Sequence, residues 1–297
     1  MYSDNARGAM LMVVGAAAFT LSDTIMKVLG GELPLFQTLL WRGLAVSLAL
    51  AALAWHKGVF TVALHGRDRW LISLRTLADT VATWFFLQAL YNMPIANMTA
   101  IMQALPLTLT LAGALLFGEK VGWRRLAAIG VGFIGVMMIV RPDAQGFDRH
   151  SIYALICVAL VTTRDLSTRR MTRSVPSLII ALANAVMVTL LGAVGSFFEV
   201  WSPPQGVNIA LLGATSALVV TGYLVTVMAM RVGELGFVTP FRYTGLVWAL
   251  GLGFVVFGEW PDLVTFLGAA LIVGTGLFTF FRERRLSISR SRALVRN

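Results

Sequence analysis

The stretch GAMLMVVGAAAFTLSDTIMKVL, residues 8–29, decides what kind of protein this is. Its 22 residues include only two charges, Asp23 and Lys27. An α-helix needs roughly 20 apolar residues to cross the hydrocarbon core of a bilayer. The stretch therefore predicts a membrane-spanning helix.

The rest of the chain has the same character. Of its 297 residues, 58% are hydrophobic and 13% are charged, and the mean hydropathy is +0.80. A soluble domain of this size has no interior large enough for so much apolar surface, so a soluble enzyme is excluded. The apolar runs predict an all-α integral membrane protein with ten spans. The ten predicted spans are residues 8–29, 34–55, 70–92, 97–117, 122–140, 151–170, 176–200, 208–231, 236–257 and 261–281.

Basic residues are distributed unevenly between the predicted loops. The net charge is +10, and the loops on one side hold 17 Lys and Arg residues while those on the other side hold 3. In a soluble protein such an excess is typical of nucleic-acid binding. In a membrane protein it follows the positive-inside rule, so both termini are expected in the cytoplasm, with the chain in the inner membrane and no nucleic-acid partner.

The residues that hold metals and phosphates are scarce. The chain has one cysteine, Cys157, and three histidines, and it has no glycine-rich phosphate loop with a lysine. These counts predict no disulfide, no metal site and no cofactor, and they argue against transport driven by ATP.

Two patterns occur twice in the chain at nearly the same offset. Residues 23–34 and 165–176 share an acidic residue, a basic residue four positions later and a proline seven positions after that, at an offset of 142. Residues 117–119 and 257–259 both read Phe-Gly-Glu, at an offset of 140. Each copy holds five spans, an odd number, so the second copy must enter the membrane from the opposite side, as in many secondary transporters.

The repeat predicts how the chain is divided and what the Phe-Gly-Glu motif does. The first five-helix repeat is expected over residues 1–145, the inverted repeat over 146–285 and a basic cytoplasmic tail over 286–297. The glycine is suited to the left-handed conformation that ends a helix. The glutamate then stands at the start of the next helix, where the helix dipole favours a negative charge, and Pro261 and Asp262 continue that start signal.

Ten spans in a five-plus-five inverted repeat, with Phe-Gly-Glu closing spans 4 and 9, resemble the EamA-type branch of the drug/metabolite transporter superfamily. Aromatic amino-acid exporters belong to this branch. The resemblance implies a secondary transporter with a central cavity lined by spans 1–4 and 6–9, and with spans 5 and 10 at the periphery. The small multidrug branch has a membrane-embedded glutamate in its first span, whereas this chain has Asp23 nearer the end of that span.

Charged residues inside the spans are candidates for coupling or gating, because lipid penalises a charge that is neither paired nor hydrated. Asp23 and Arg42 lie at similar depths on neighbouring spans and are expected to pair. Arg75 is four residues before Asp79, so the two share a helix face. The alternative is that such pairs only hold helices together. The predicted coupling residues are Asp23, Arg42, Arg75, Asp79, Asp165 and Arg242, and Arg164 is a seventh buried charge.

Polar and aromatic residues inside the spans predict a substrate cavity. Thr99 and Gln103 on span 4 correspond to Thr239 and Tyr243 on span 9, so two polar stripes are expected to face each other. Prolines 106 and 240 are expected to loosen these helices. With the aromatic rings the cavity would stack an apolar or aromatic solute, although each ring alone also suits lipid or core contact. The predicted substrate-binding residues are Trp84, Gln88, Thr99, Gln103, Asn184, Tyr223, Thr239, Tyr243 and Trp248.

The function predicted from the sequence is export of small metabolites, most of all aromatic or other hydrophobic amino acids, by alternating access. A broad-specificity drug exporter is the alternative, and a channel is a further one. A membrane-embedded enzyme is disfavoured, because no nucleophile and base stand together in the sequence. The glycines of spans 5 and 10 predict close helix packing within a monomer, with a weak homodimer as the alternative.

Overall fold

The structure, a computed structural model, describes residues 2–61, 65–118, 122–141, 148–172 and 174–295, and every regular element in these ranges is helical. The α-helices are α1 (Tyr2–Leu29), α2 (Leu35–His56), α3 (Gly66–Asn92), α4 (Ile95–Met102), α5 (Leu105–Phe117), α6 (Trp123–Val140), α7 (Arg149–Arg170), α8 (Ser177–Gly195), α9 (Gly206–Val232), α10 (Leu235–Val238), α11 (Thr244–Phe257) and α12 (Leu263–Val295). Short 3₁₀ helices cover Val59–Thr61, Ser196–Phe198 and Thr239–Tyr243. The all-α prediction is confirmed for these ranges.

Nine helical segments of the described residues are long and apolar enough to cross a membrane. They correspond to nine of the ten predicted spans, so the chain is a multi-pass membrane protein. The one predicted span without such a match is span 3, residues 70–92. It lies in α3, which is 27 residues long but polar. Charged residues in its first turn, with Arg75 and Asp79 further along, lower its apolar content. Ten crossings therefore stays a prediction.

Spans 4 and 9, each expected as one helix, are both interrupted. Span 4 breaks between α4 and α5, and span 9 contains the 3₁₀ helix Thr239–Tyr243 between α10 and α11. Proline has no N–H to donate, and its ring clashes with the carbonyl four residues earlier. For Pro106 that earlier residue is Met102, where α4 ends. The loosening predicted at the two prolines is confirmed, and it takes the form of a local break.

The glycines of the two Phe-Gly-Glu motifs end their helices as predicted. Gly118 follows α5 with φ +65°, and Gly258 follows α11 with φ +67°. In this left-handed region a side chain is strained, so glycine is the residue that ends both helices. Glu119 lies outside the described residues.

The second glutamate of the motif caps a different helix from the one expected. Glu259 was expected at the start of the helix that follows it in sequence, α12. Its Oε2 instead accepts a hydrogen bond of 3.1 Å from the backbone N–H of Ile95, the first residue of α4. Asp262 takes the expected role at α12, because its Oδ1 accepts a 3.0 Å bond from the N–H of Thr265, and its other oxygen pairs with Arg141.

The chain folds into two compact units that do not follow the two halves of the sequence. The first unit is Met1–Ala17, Pro94–Asp148 and Leu224–Asn297, and the second unit is Ala18–Met93 and Arg149–Tyr223. Each unit takes corresponding helices from both predicted repeats. The repeat boundaries 1–145 and 146–285 describe sequence symmetry and stay a prediction, and α12 continues through Val295 into the predicted tail.

In the first unit, α6 packs on α12 and α4 packs on α11. The contact between α6 and α12 depends on two glycines. A Cβ atom added to Gly135 would lie 2.6 Å from the carbonyl oxygen of Gly268, and one added to Gly268 would lie 2.7 Å from that of Gly135. Backbones this close leave no room for a side chain, so the predicted close packing within the chain is confirmed at these two positions.

In the second unit, α2 packs on α8 and α3 packs on α7. The α2–α8 contact is also close, since a Cβ atom added to Gly192 would lie 2.5 Å from the backbone nitrogen of Leu40. The hydroxyls of Ser47 and Thr189 share a hydrogen bond of 3.1 Å across this contact. Small and hydroxylated residues therefore hold the two helices together, as is usual in membranes.

Candidate functional site

The second unit holds a network of four charges between α3 and α7. Arg164 donates to Asp79 at 2.9 Å and to Asp165 at 2.8 Å. Arg75 lies 3.9 Å from Asp79 and donates to the hydroxyl of Thr168 at 2.9 Å. Two positive and two negative groups thus neutralise each other inside the helix pair. We call Arg75, Asp79, Arg164 and Asp165 the charge quartet.

The structure shows which charges of the quartet pair with one another. Arg75 and Asp79 share a face and lie close together, as their spacing indicated. Asp165 pairs with its neighbour Arg164, and Arg164 is the residue that links the two helices. Sequence spacing gives no signal for that link, because Arg164 and Asp79 are 85 residues apart.

Asp23 and Arg42 form a second charged group in the same unit. They interact electrostatically, and Arg42 donates to the hydroxyl of Ser22 at 3.4 Å. Within the described part of the chain, no direct hydrogen bond or ion pair joins the Asp23 carboxylate to the Arg42 guanidinium. Tyr91 also interacts electrostatically with Arg42, and sequence reasoning did not single it out.

The helix that carries Asp23 is clamped at that position. Ser22 and Thr215 are fully buried and share a hydrogen bond of 2.6 Å between their hydroxyls. The Thr215 hydroxyl also lies 3.3 Å from the carbonyl oxygen of Ser22. These contacts tie α1 to α9 one residue before Asp23, so the position of the carboxylate is well defined.

Trp84 belongs to an aromatic cluster on α3 and α7. Its ring centroid lies 4.9 Å from that of Phe85 and 5.7 Å from that of Tyr153, in tilted and edge-on arrangements favoured by aromatic pairs. Phe85 and Tyr153 are 5.3 Å apart. Sequence reasoning missed both partners, because only the packing of α3 on α7 brings Tyr153 to the cluster. Gln88 is half-buried one turn along α3.

Two further predicted residues lie in the second unit. Asn184, on α8, has a buried side-chain oxygen with no hydrogen-bond partner among the described residues. Tyr223, on α9, interacts electrostatically with Arg75 of the quartet. A buried polar atom without a partner is rare in native proteins and marks a place where water or a ligand can bind.

The remaining predicted residues lie in the first unit, at the two interrupted spans. Gln103 is the first residue after α4, and its N–H donates to the carbonyl of Thr99 at 3.1 Å. Thr239, Arg242 and Tyr243 belong to the 3₁₀ helix at the equivalent place in span 9. Both stripes lie where helical hydrogen bonding is irregular, and that they face each other across a cavity stays a prediction.

The side chain of Tyr243 points toward α12. Its hydroxyl is buried against Gly276 and has no hydrogen-bond partner in the part of the chain that the structure describes. Arg242 beside it is exposed, and so is Trp248 on α11, at 43%. A contact of Tyr243 or Trp248 with substrate stays a prediction.

The chain is similar in sequence to several named membrane transporters. Residues 6–141 match the EamA-like transporter family. An S-adenosylmethionine uptake transporter of Rickettsia conorii is 24% identical over 279 residues, which is 93% of this chain and 92% of that protein. A riboflavin transporter of Rhizobium johnstonii is 26% identical over 281 residues, covering 94% and 92% of the two chains. A pseudopaline exporter of Pseudomonas aeruginosa is 24% identical over 277 residues, covering 90% and 93%.

The fold of this chain is similar to that of a protein whose crystal structure has been solved. It superposes with a TM-score of 0.64 at 20% sequence identity and covers 96% of this chain and 99% of that one. The resemblance drawn from the span pattern and the Phe-Gly-Glu motif is confirmed at the level of the family. The chain is a multi-pass membrane protein whose residues 6–141 match the EamA-like transporter family.

Proposed function

We propose that the protein is a secondary transporter that exports small metabolites, most of all amino acids, across the inner membrane by alternating access. The observation that carries the proposal is that charged and polar side chains lie within the helices of a protein with a transporter-family domain. Lipid penalises such groups, so they are retained where they pair with one another or meet solute and water.

The named relatives support a small-molecule substrate. They include proteins named for S-adenosylmethionine, riboflavin and pseudopaline. S-adenosylmethionine is a derivative of an amino acid, which agrees with the substrate class inferred here. One relative is named for uptake and another for export, so the names of the relatives favour neither direction of transport. Export is our proposal.

The roles of individual residues belong to the same proposal. We assign substrate contact to the polar and aromatic set in both units, and coupling or gating to the charged residues. The interruptions at Gln103 and at Thr239–Tyr243 support this, because broken helices expose backbone groups that bind solute or bend during transport. We also propose that both termini lie in the cytoplasm, which the distribution of basic residues supports.

One apolar cavity of the first unit is too small for a bulky drug. The first unit holds an apolar cavity of about 170 Å³ next to α12. Pockets for drug-sized ligands are usually about 300 Å³ or more. The cavity is lined by Ala96, Leu246, Leu250, Pro261, Thr265, Phe266, Ala269, Ala270 and Val273.

Reconstitution tests the proposal. Proteoliposomes are given labelled L-phenylalanine, L-leucine and L-glutamate, with and without an imposed proton gradient, beside protein-free liposomes. We expect saturable uptake of the apolar amino acids, and faster uptake of label when the liposomes are preloaded with the unlabelled amino acid. Such exchange requires alternating access and is not given by an open channel. If no amino acid moves while a lipophilic cation such as ethidium does, the substrate class is wrong.

A further inference from the structure

The two charged groups of the second unit differ in whether their opposite charges contact each other directly. In the charge quartet every charged side chain lies close to an opposite charge, and the closest pairs are at 2.8 and 2.9 Å. The charges of the quartet are therefore neutralised by direct contact, although the Nη1 atom of Arg75 has no hydrogen-bond partner among the described residues. The group around Arg42 is different, because its charges act on each other without a direct bond.

Two buried polar atoms of the group around Arg42 lack hydrogen-bond partners. Its Nε atom is buried without a hydrogen-bond partner among the described residues, and so is the hydroxyl of Tyr91 nearby. The Arg42 guanidinium has one long bond, 3.4 Å, to the hydroxyl of Ser22. Leaving a buried donor without an acceptor is costly, so a protein that keeps two of them close together has a use for them.

The positions of these groups suit a ligand with two opposite charges. Asp23 stands six residues before the end of α1, and Arg42 stands seven residues after the start of α2. Each is therefore about 10 Å along its helix from the α1–α2 connection, at 1.5 Å per residue. A carboxylate and a guanidinium at the same level, not bonded to each other, present a negative and a positive site side by side.

We propose that Asp23 and Arg42 bind the ammonium and the carboxylate of a zwitterionic solute, an α-amino acid. The guanidinium offers a carboxylate two parallel N–H donors, and the Tyr91 hydroxyl adds a third. Asp23 accepts from the ammonium. The clamp between Ser22 and Thr215 holds Asp23 in place. This assignment rests on the proposed transport of amino acids, and it adds solute binding to the proposed role of Asp23 and Arg42 alone, since the charges of the quartet contact one another.

The assignment predicts which charged group of the solute, the ammonium or the carboxylate, each residue binds. Binding is measured on the purified full-length protein in lipid nanodiscs with three probes that share a phenyl ring. These are L-phenylalanine, phenethylamine, which lacks the carboxylate, and 3-phenylpropanoate, which lacks the ammonium. The intact protein should bind L-phenylalanine at least tenfold more tightly than either other probe, because a hydrogen bond to a charged group is worth about tenfold to a hundredfold in affinity.

Two substitutions should each remove one preference. Arg42→Gln should bind L-phenylalanine no better than phenethylamine, and Asp23→Asn should bind it no better than 3-phenylpropanoate. Asp262→Asn is the matched control, because it also removes an aspartate carboxylate that interacts with an arginine, Arg141, and Asp262 is not among the residues proposed for coupling or substrate contact. It should keep both preferences. If Arg42→Gln does not fold, Arg42→Lys keeps the charge and should retain the preference over phenethylamine with weaker binding.

The outcomes separate this site from the function it serves. If the intact protein binds and transports L-phenylalanine and both variants keep its full preference, the site assignment is overturned while amino-acid transport stands. If the intact protein neither binds nor transports any amino acid, the proposed function itself fails. Loss of one preference in each variant, with the control unchanged, establishes the site.

Discussion

The Tyr243 hydroxyl shows how closely single atoms are packed in the first unit. It lies against Gly276 of α12 with no hydrogen-bond partner among the described residues. Gly276→Ala would drive a methyl group into this hydroxyl, so we expect the free energy of unfolding to fall by about 1–3 kcal/mol, the usual cost of overpacking. Thermal unfolding in detergent measures the change.

The same helix offers a matched control for this substitution. Nothing lies within 4 Å of a Cβ atom added to Gly274, so Gly274→Ala should leave the melting temperature unchanged or slightly higher. Adding Tyr243→Phe to Gly276→Ala should restore part of the lost stability, because it removes the atom in conflict. Equal effects of the two alanine substitutions would show that Tyr243 does not pack as described.

Asp262 provides a pH-dependent contribution to stability. Its hydrogen bonds with Arg141 and Thr265 lower the pKa of the Asp262 carboxyl from 3.8 to about 2. Because the pKa is lower in the folded state, the stabilisation is fully present above about pH 4 and is lost as the pH falls toward about 2. Both partners are about half exposed, so the effect is small and weakens with salt.

Asp262→Asn tests this contribution. The variant should melt below the intact protein at pH 6, and the difference should shrink as the pH falls below about 4. Melting temperatures at a series of pH values and two salt concentrations provide the measurement. A difference that stays constant down to about pH 2 would argue against the role of the carboxylate.

At the scale of elements, the quartet joins α3 to α7 through Arg164 and Asp79. Removing one member of a buried pair leaves an uncompensated charge, which costs roughly 3 kcal/mol or more. Asp79→Asn should therefore lower the melting temperature strongly. Adding Arg164→Gln should cost less than the sum of the two single changes, because the stranded charge is removed as well.

A double-mutant cycle measured by thermal unfolding gives this coupling. Asp79→Asn and Asp23→Asn form an informative comparison, since both remove a carboxylate from the interior of a helix. The first should mainly reduce stability, and the second should mainly alter solute preference. Simple additivity between Asp79 and Arg164 would show that the contact at 2.9 Å contributes nothing to the fold.

At the scale of the whole molecule, the prediction concerns the number and direction of the membrane crossings. In a Cys157→Ala background, single cysteines at Glu32, Lys57 and Ser289 report on three loops or ends. We expect a membrane-impermeant thiol reagent added to intact cells to label the cysteine at position 32 only. Labelling at position 289 from outside would contradict ten crossings with cytoplasmic termini.

Several features of the fold could be predicted from the sequence because they depend on neighbouring residues. The length of each apolar run sets whether a helix reaches across a bilayer, and nine predicted spans meet that test among the described residues. Gly118 and Gly258 end their helices through their own backbone freedom. Pro106 removes a helical hydrogen bond within four residues of itself.

Other features were decided only by the tertiary structure. The partner of Arg164 is on α3, and Glu259 caps α4 instead of the helix that follows it. The apolar residues of these helices are not confined to one face, so periodicity does not reveal which face meets which neighbour. A charge pair or a cap between distant segments forms only after helix packing has set their rotation and depth. The sequence by itself therefore determined a helical membrane protein with buried charges, and the packing of its helices decided which of those charges contact an opposite charge directly and which do not.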